Sequence, residues 1–143
     1  MNDERDSKVE GTPTARPPTV LCVDDEPMVL RGLRRQLRRV FDVHLAEGAT
    51  EALHILQECE IDAITSDLRM PEVDGIELLG RVRKLFPRTA RLLITGHVDA
   101  VRFSETLNPG LVFAVLDKPS TTAELCSTIE AAILDAKTAP ESP

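Results

Sequence analysis

The stretch Thr19-Val-Leu-Cys-Val-Asp-Asp-Glu-Pro27 decides the fold. Its first five residues form a short apolar run rich in β-branched side chains, which predicts a buried strand. Two adjacent acids, Asp24 and Asp25, follow directly. Pro27 then stands where a helix can begin, because proline is tolerated in the first helical turn. This stretch therefore predicts a buried strand that leads through an acidic pair into a helix.

The same order of strand and helix repeats along the chain. Four more short apolar runs predict strands at residues 41–46, 61–66, 91–94 and 111–116. Apolar residues at helical spacing predict a helix after each strand, and these five helices begin at Pro27, Ala49, Asp74, Asp99 and a cap formed by Thr121 or Thr122. Five such pairs predict a doubly wound α/β fold with a parallel sheet. In such folds, functional residues gather at the carboxyl ends of the strands.

Composition favours a single domain with a core of its own. The chain has 143 residues, and we expect a folded domain at 19–136 between flexible tails at 1–18 and 137–143. A net charge of −7, with four Phe and no Trp or Tyr, argues against binding to DNA or other nucleic acid. The three cysteines lack metal-site spacing. We find no membrane span or signal-peptide core, and we expect a soluble, cytoplasmic protein.

Polar residues follow four of the predicted strands at the edge where function is expected. Asp24 and Asp25 end the first strand, Asp67 the third, Thr95 follows the fourth and Lys118 the fifth. Three converging carboxylates repel one another unless a cation lies between them, and oxygen ligands suit a hard ion such as Mg²⁺. Lys118 adds a positive charge and Thr95 a hydroxyl. The set is chemically suited to hold a phosphoryl group on a carboxylate.

Four segments at these strand ends resemble the receiver domains of response regulators, which act in two-component phosphorelays. They are Val23-Asp-Asp-Glu-Pro27, Ser66-Asp-Leu-Arg-Met-Pro-Glu-Val-Asp-Gly75, Leu93-Ile-Thr-Gly96 and Leu116-Asp-Lys-Pro119. They occur in the family's order, and the resemblance covers residues 19–136. It implies a flavodoxin-like sheet in the order 2-1-3-4-5, flanked by five helices.

The resemblance also implies a Mg²⁺ site. Asp25 and Asp67 would bind the ion directly, and Asp24 through water. The backbone carbonyl of Arg69 would be a further ligand.

The resemblance gives the phosphoryl group its own set of residues. Asp67 would take the group from a phosphohistidine of a sensor histidine kinase or a histidine phosphotransfer protein. Thr95 would hydrogen-bond it, and Lys118 would pair with one of its oxygens. The bond before Pro119 would be cis.

Two features near the site leave alternatives open. The family's usual switch aromatic is replaced by Val115, and strand alternation would point Phe113 to the same face, where it could substitute in part. Arg69 and His97 occupy positions that flank the pocket and influence phosphoryl lifetime in the family. A plain exposed histidine is an equal reading of His97.

The first predicted helix is strongly basic. One interpretation is a solvated outer face, and the other is a docking surface, since the family meets kinases and phosphotransfer proteins near this helix. The arginines are Arg31, Arg34, Arg35, Arg38 and Arg39.

The leading hypothesis is a signalling receiver rather than a metabolic enzyme, with autodephosphorylation acting as a timer. No output domain follows residue 136, so we expect output through an unknown downstream protein. One alternative is an adaptor that keeps the fold but works without phosphorylation. A second, a phosphatase acting through an aspartyl phosphate, is disfavoured because such enzymes carry Asp-x-Asp after the first strand, whereas Asp25 and Glu26 follow Asp24 here.

Overall fold

A computed structural model describes residues 16–96, 99–100 and 110–138, and in these ranges five strands and four helices form a three-layer α/β domain. The strands are β1 (Thr19–Val23), β2 (Asp42–Ala46), β3 (Ala63–Ser66), β4 (Ala90–Gly96) and β5 (Ala114–Lys118). The helices are α1 (Pro27–Leu37), α2 (Ala49–Glu58), α3 (Gly75–Leu85) and α4 (Thr122–Thr138).

All five strands are parallel and lie in the order β2-β1-β3-β4-β5, which confirms the predicted sheet. The register aligns the carboxyl ends of the central strands, since Val23 of β1 pairs with Ser66 of β3. The residues that follow these two, Asp24 and Asp67, are therefore neighbours. This alignment places the acids of two distant chain segments at one edge of the sheet.

Successive side chains of the strands point to opposite faces, so the core has two halves. On one face, β1 and β4 pack against α1 and α4 through Val20, Cys22, Leu33, Leu92 and Ile129. On the other face, the same strands and β3 pack against α2 and α3. That half is formed by residues including Leu21, Ile64, Leu93, Leu56 and Leu78.

Local chemistry sets where the helices begin. Pro27 occupies the first turn of α1, as predicted. The Asp74 carboxylate accepts a hydrogen bond from the Glu77 N–H (2.9 Å) and caps α3. The Thr121 hydroxyl accepts from the Glu124 N–H (3.1 Å), so Thr121 rather than Thr122 caps α4.

The predicted fifth strand is displaced. It was predicted at residues 111–116, but β5 begins at Ala114 and continues to Lys118. The Arg91 guanidinium donates to the carbonyls of Gly110 (3.1 Å) and Leu111 (2.8 Å), and Gly110 has a φ of 86°, which favours glycine. The chain before Ala114 is thus held in a turn, although its apolar residues suggested a strand.

Other predictions differ from the structure at a boundary or extend beyond the described residues. Helix α4 ends at Thr138, past the predicted domain boundary at residue 136. Asp99 and Ala100 are helical, and the rest of the helix predicted at 99–107 lies outside the described residues. Residues 1–15 and 139–143 of the predicted tails, and His97, also lie outside them. No helix among the described residues combines the length and the apolar character needed to cross a bilayer.

Candidate functional site

The backbone continues the sheet's hydrogen bonding one residue past β1 and β3, and this fixes the two central acids. The Asp67 N–H donates to the Val23 carbonyl (3.0 Å), and the Asp24 N–H donates to the Ala46 carbonyl (3.1 Å). Both side chains are buried. Asp24 and Asp67 therefore project from the rigid end of the sheet rather than from a mobile loop.

Helix α3 approaches Asp67 closely because it begins with glycine. The Gly75 N–H donates to the Leu68 carbonyl (2.8 Å), and a Cβ added at Gly75 would lie 2.2 Å from the Asp67 carbonyl oxygen. The Ser66 hydroxyl donates to that same oxygen (2.9 Å). Any side chain larger than hydrogen at residue 75 would push the helix away from the end of β3.

Lys118, the last residue of β5, joins the two central acids. Its Nζ lies 2.8 Å from Asp24 Oδ2 and 3.4 Å from Asp67 Oδ1. Asp67 Oδ1 also accepts from the Leu68 N–H (2.9 Å). The peptide bond after Lys118 is cis, as the resemblance to receiver domains implied. The ammonium thus reaches both carboxylates from β5, which lies two places from β3 and three places from β1 in the sheet.

The three predicted acidic metal ligands converge. Asp24, Asp25 and Asp67 each offer a carboxylate oxygen, and these oxygens lie within 4.8 Å of one another. Ligands around one octahedral Mg²⁺ stand about 2.1 Å from the ion, hence at most about 4.2 Å apart, so the spacing needs only a small adjustment. One ammonium faces three carboxylates, which leaves the cluster short of positive charge. The donor set therefore fits a divalent cation.

Burial and charge oppose one another at Asp67. Burial raises the pKa of Asp67 above its ordinary value; the Lys118 charge lowers it, and the Asp24 charge raises it again. For Lys118, burial lowers the pKa, but the hydrogen bond and charge of Asp24, with the charge of Asp67, outweigh it. The pKa of Lys118 therefore lies above its ordinary value. The site therefore disfavours the ionised form of Asp67 and favours the charged form of Lys118.

Thr95 lies at the same edge of the sheet but one strand further out. It is buried near the end of β4, in register with Asp117, the residue before Lys118. The structure therefore brings Thr95 to the carboxyl end of β4 beside the strand that carries Lys118.

The predicted substitution of Phe113 for the missing aromatic rested on a wrong strand boundary. Phe113 precedes β5, and 45% of its surface is exposed. Val115 is in the strand, pairs with Leu93 and packs against the core half that contains α2 and α3. Strand alternation therefore does not place Phe113 beside Val115.

A salt bridge at the rim of the site was missed from the sequence. Arg69, in the loop between β3 and α3, donates from Nε to Asp99 Oδ2 (2.6 Å) and from Nη2 to Asp99 Oδ1 (2.8 Å). The hydrogen bond and charge of Asp99, and to a smaller extent the charge of Asp67, raise the pKa of Arg69. The only signal was that Arg69 and Asp99 each follow a strand that ends at the same edge of the sheet, which does not specify a pair thirty residues apart.

An open groove runs beside the acidic cluster. It has a volume of about 470 Å³, and Asp25 is the one acid of the cluster that lines it. Its walls are formed by Asp25, Leu68, Arg69, Met70, Pro71 and Asp74.

Comparison with known proteins decides the family. A family model of the response regulator receiver domain matches residues 20–130. The chain belongs to this family. The Bradyrhizobium diazoefficiens hydrogenase transcriptional regulatory protein HoxA is 35% identical over 115 residues, which cover 80% of this chain and 24% of HoxA. The Brucella abortus sensor kinase CckA is 35% identical over 130 residues, covering 88% of this chain and 14% of CckA.

A solved structure agrees with the sequence matches. The signal receiver domain of an HD domain-containing protein from Pseudomonas fluorescens has a TM-score of 0.78 and 31% identity, with 87% of this chain and 100% of that chain covered. The receiver domain described here is thus a signalling module of the two-component phosphorelay type, not a metabolic enzyme. It spans only a minor part of the length of HoxA and CckA.

Proposed function

We propose that Asp67 is the phosphoacceptor of this receiver and that it takes its phosphoryl group from a phosphohistidine. The observation that carries the proposal is the ion-pair geometry of Lys118, whose ammonium bridges Asp67 and Asp24 inside a cluster of three acids. Leu68, the residue after Asp67, lines the groove, and burial raises the pKa of Asp67, so its ionised form is under-stabilised without a further cation.

In the transfer, an Asp67 carboxylate oxygen attacks the phosphorus in line with the leaving imidazole nitrogen. A P–O bond forms, the P–N bond breaks, and its electron pair returns to the imidazole. Lys118 is held within reach of the oxygens of the new acyl phosphate by Asp24, and Thr95 would offer its hydroxyl to them. The loose transition state leaves the protein chiefly the task of positioning and of charge stabilisation.

The donor set is suited to Mg²⁺. Asp25 and Asp67 would bind it directly, Asp24 through water, and the Arg69 backbone carbonyl would complete the protein ligands. When bound, the ion supplies positive charge that neutralises the phosphoryl oxygens. Removing it should leave the acids mutually repelling and the acceptor unreactive.

The partners follow from this chemistry. We propose a sensor histidine kinase or a histidine phosphotransfer protein as donor, and a downstream protein rather than DNA as the receiver of the signal. Five arginines on the exposed side of α1 and just after it offer a charged docking surface for the donor; they are Arg31, Arg34, Arg35, Arg38 and Arg39. The acyl phosphate would be lost by autodephosphorylation, which times the signal.

Free thiols fit a reducing compartment. Cys22, Cys59 and Cys126 are all unpaired, and disulfides are rare in the cytosol, so we propose that the domain works in the cytoplasm.

One observation favours a second function. With Val115 in place of an aromatic and Phe113 outside β5, the structure offers no aromatic switch residue in the described part of this strand. A receiver that lacks this switch could serve as an adaptor independent of phosphorylation. The two functions differ in one measurable property, which is uptake of a phosphoryl group.

The test is intact-protein mass spectrometry after incubation with Mg²⁺ and acetyl phosphate. We expect the wild type to gain one phosphoryl group, and EDTA or Asp67→Asn to abolish the gain. Asp42→Asn, which removes an exposed carboxylate at the amino end of β2, is the matched control and should be phosphorylated normally. A wild type that takes up nothing from acetyl phosphate or from phosphorylated histidine kinases would support the adaptor instead.

A further inference from the structure

The rim of the phosphorylation site carries an ion pair that links the loop after β3 to the helical residue Asp99. Arg69 follows Asp67 by two residues, and Asp99 follows Thr95 by four. The guanidinium and the carboxylate make two parallel hydrogen bonds of 2.6 and 2.8 Å. Such a bidentate pair fixes the orientation of the guanidinium plane as well as its position.

We propose that Asp99 is a positioning residue that withholds the Arg69 guanidinium from the phosphoryl group, and that phosphorylation of Asp67 draws Arg69 away from Asp99. The inference rests on the proposed role of Asp67 as phosphoacceptor. It deepens that role by identifying a residue outside the expected set that controls how strongly the phosphoryl group is held.

The two partners differ in their freedom to move. The Arg69 side chain is 69% exposed, whereas that of Asp99 is only 19% exposed. The arginine can therefore swing through solvent, whereas most of the Asp99 side chain is covered. Water screens an exposed ion pair, so exchange of Arg69 between two anions costs little free energy.

A phosphoryl group on Asp67 is the stronger competitor for the guanidinium. It carries more negative charge than one carboxylate and has three acceptor oxygens, which match the planar fork of arginine. Arg69 is already near enough to Asp67 for the Asp67 charge to act on it, and Arg69 lines the groove beside Asp25.

The excess of negative charge at the site favours movement of Arg69 from Asp99 toward the phosphoryl group. Lys118 is shared between Asp24 and Asp67, so it does not neutralise all three acids of the cluster. A phosphoryl group adds to the excess of negative charge. Arg69 can supply further positive charge from the rim, and the Asp99 carboxylate competes for it.

The experiment measures binding of a phosphoryl mimic in a double-mutant cycle. The probe is beryllofluoride with Mg²⁺, and the bound fraction is read from ¹⁹F NMR for the wild type, Asp99→Asn, Arg69→Gln and the double variant. We expect Asp99→Asn to bind about two- to fivefold more tightly, the scale of one exposed ion pair. In the Arg69→Gln background the same substitution should have no effect, because the residue that Asp99 withholds is gone.

Glu77→Gln is the matched control. It removes the carboxylate of another exposed pair, with Arg81 on α3 (2.7 Å), and should leave beryllofluoride binding unchanged. Thermal melts of every variant identify any loss of folding. Since the four affinities are compared within one cycle, a general structural effect of Asp99→Asn would appear equally in both backgrounds.

Three results would overturn the inference. No effect of Asp99→Asn would mean that Arg69 is not withheld. An equal effect with and without Arg69 would mean that Asp99 acts on the mimic directly or through a general structural change, and not through Arg69. Failure of the wild type both to bind the mimic and to take up a phosphoryl group would overturn the proposed function as well, whereas normal uptake with an unchanged Asp99→Asn would overturn only the inference.

Discussion

The two ends of the same sheet differ in whether their polar groups have complementary partners. At the amino end, the Asp62 carboxylate accepts from the Thr19 N–H (2.8 Å), and the Thr89 hydroxyl donates to the Ile61 carbonyl (2.9 Å). Arg91 donates to three backbone carbonyls. Each of these groups has a complementary partner, as expected for buried or half-buried polar atoms.

At the carboxyl end, the negative charge of the acidic cluster is not fully balanced by positive charge. Asp24 and Asp67 share one ammonium, and Asp25 joins them without a second cation among the described side chains of the cluster. Since both ends lie on the same five strands, the fold itself does not demand the imbalance. The difference separates the end whose polar groups are paired from the end at which we propose that ligand binds.

The largest effect should come from crowding the carboxyl end. Gly75→Ala places a methyl group against the Asp67 backbone, and we expect it to lower the free energy of unfolding by about 2–3 kcal/mol. Gly80→Ala, in open space on the same helix, should raise it by about 0.5–1 kcal/mol. Urea denaturation measures both. Similar values for the two variants would show that α3 can shift away from β3 without cost.

A smaller loss should come from the amino end, with function preserved. Arg91→Met removes the hydrogen bonds to Thr89, Gly110 and Leu111, and we expect a loss of about 1–2 kcal/mol. Lys84→Met, on the exposed surface of α3, should change stability by no more than about 0.5 kcal/mol. Phosphoryl uptake per folded molecule should stay normal in both. Loss of uptake in a folded Arg91→Met protein would contradict the division between the two ends.

The opposite sign is expected for the acceptor. Because the pKa of Asp67 in the folded protein is raised, its ionised form costs stability. Asp67→Asn should therefore stabilise the Mg²⁺-free domain by roughly 0.5–2 kcal/mol near pH 7. The cost is absent below the ordinary aspartate pKa and grows as pH rises through the raised pKa, so the gain should vanish on acidification.

Chemical denaturation in EDTA at several pH values checks this prediction, with Asp42→Asn as the control. Added Mg²⁺ should reduce the advantage of Asp67→Asn by stabilising the wild type. An Asp67→Asn protein that is less stable than the wild type at neutral pH would mean that Asp67 contributes to the fold and is not strained.

The smallest effect concerns the titration of Asp67 itself. Burial raises its pKa and the Lys118 charge lowers it, so Lys118→Met should raise the pKa further. Carbon-13 NMR of the side-chain carboxyl in EDTA would follow the titration. Lys137→Met, on the exposed end of α4, is the control and should not move it. A lower pKa in Lys118→Met would contradict the role given to the ammonium.

Much of this comparison could be predicted from the sequence, because strand and helix periodicity is local. The run from Thr19 to Val23 gave β1 its observed bounds, and the acids after it fell at the sheet edge where parallel strands end. The convergence of Asp24, Asp25 and Asp67 then followed from topology, and the structure brings the three together. Their roles in phosphoryl transfer stay predictions until tested.

The start of β5 and the Arg69–Asp99 pair could not be predicted, because both depend on contacts between distant segments. The start of β5 was misplaced because Leu111 and Val112 are apolar and buried without being in a strand, while Arg91, from another part of the chain, donates to the Leu111 carbonyl. The Arg69–Asp99 pair was missed for the same reason. A periodic pattern does not indicate which exposed charged side chains of distant segments form an ion pair.

The sheet order also bears on association between copies of the domain. Within residues 16–96, 99–100 and 110–138, the outer strands, β2 and β5, each have one side without a neighbouring strand, and such edges invite strand addition and aggregation. Both are only five residues long, and each presents an exposed acid, Asp42 on β2 and Asp117 on β5. Proline at residue 119, which lacks a backbone N–H, directly follows β5. Short edges that carry like charges should disfavour sheet-to-sheet association between copies of the domain.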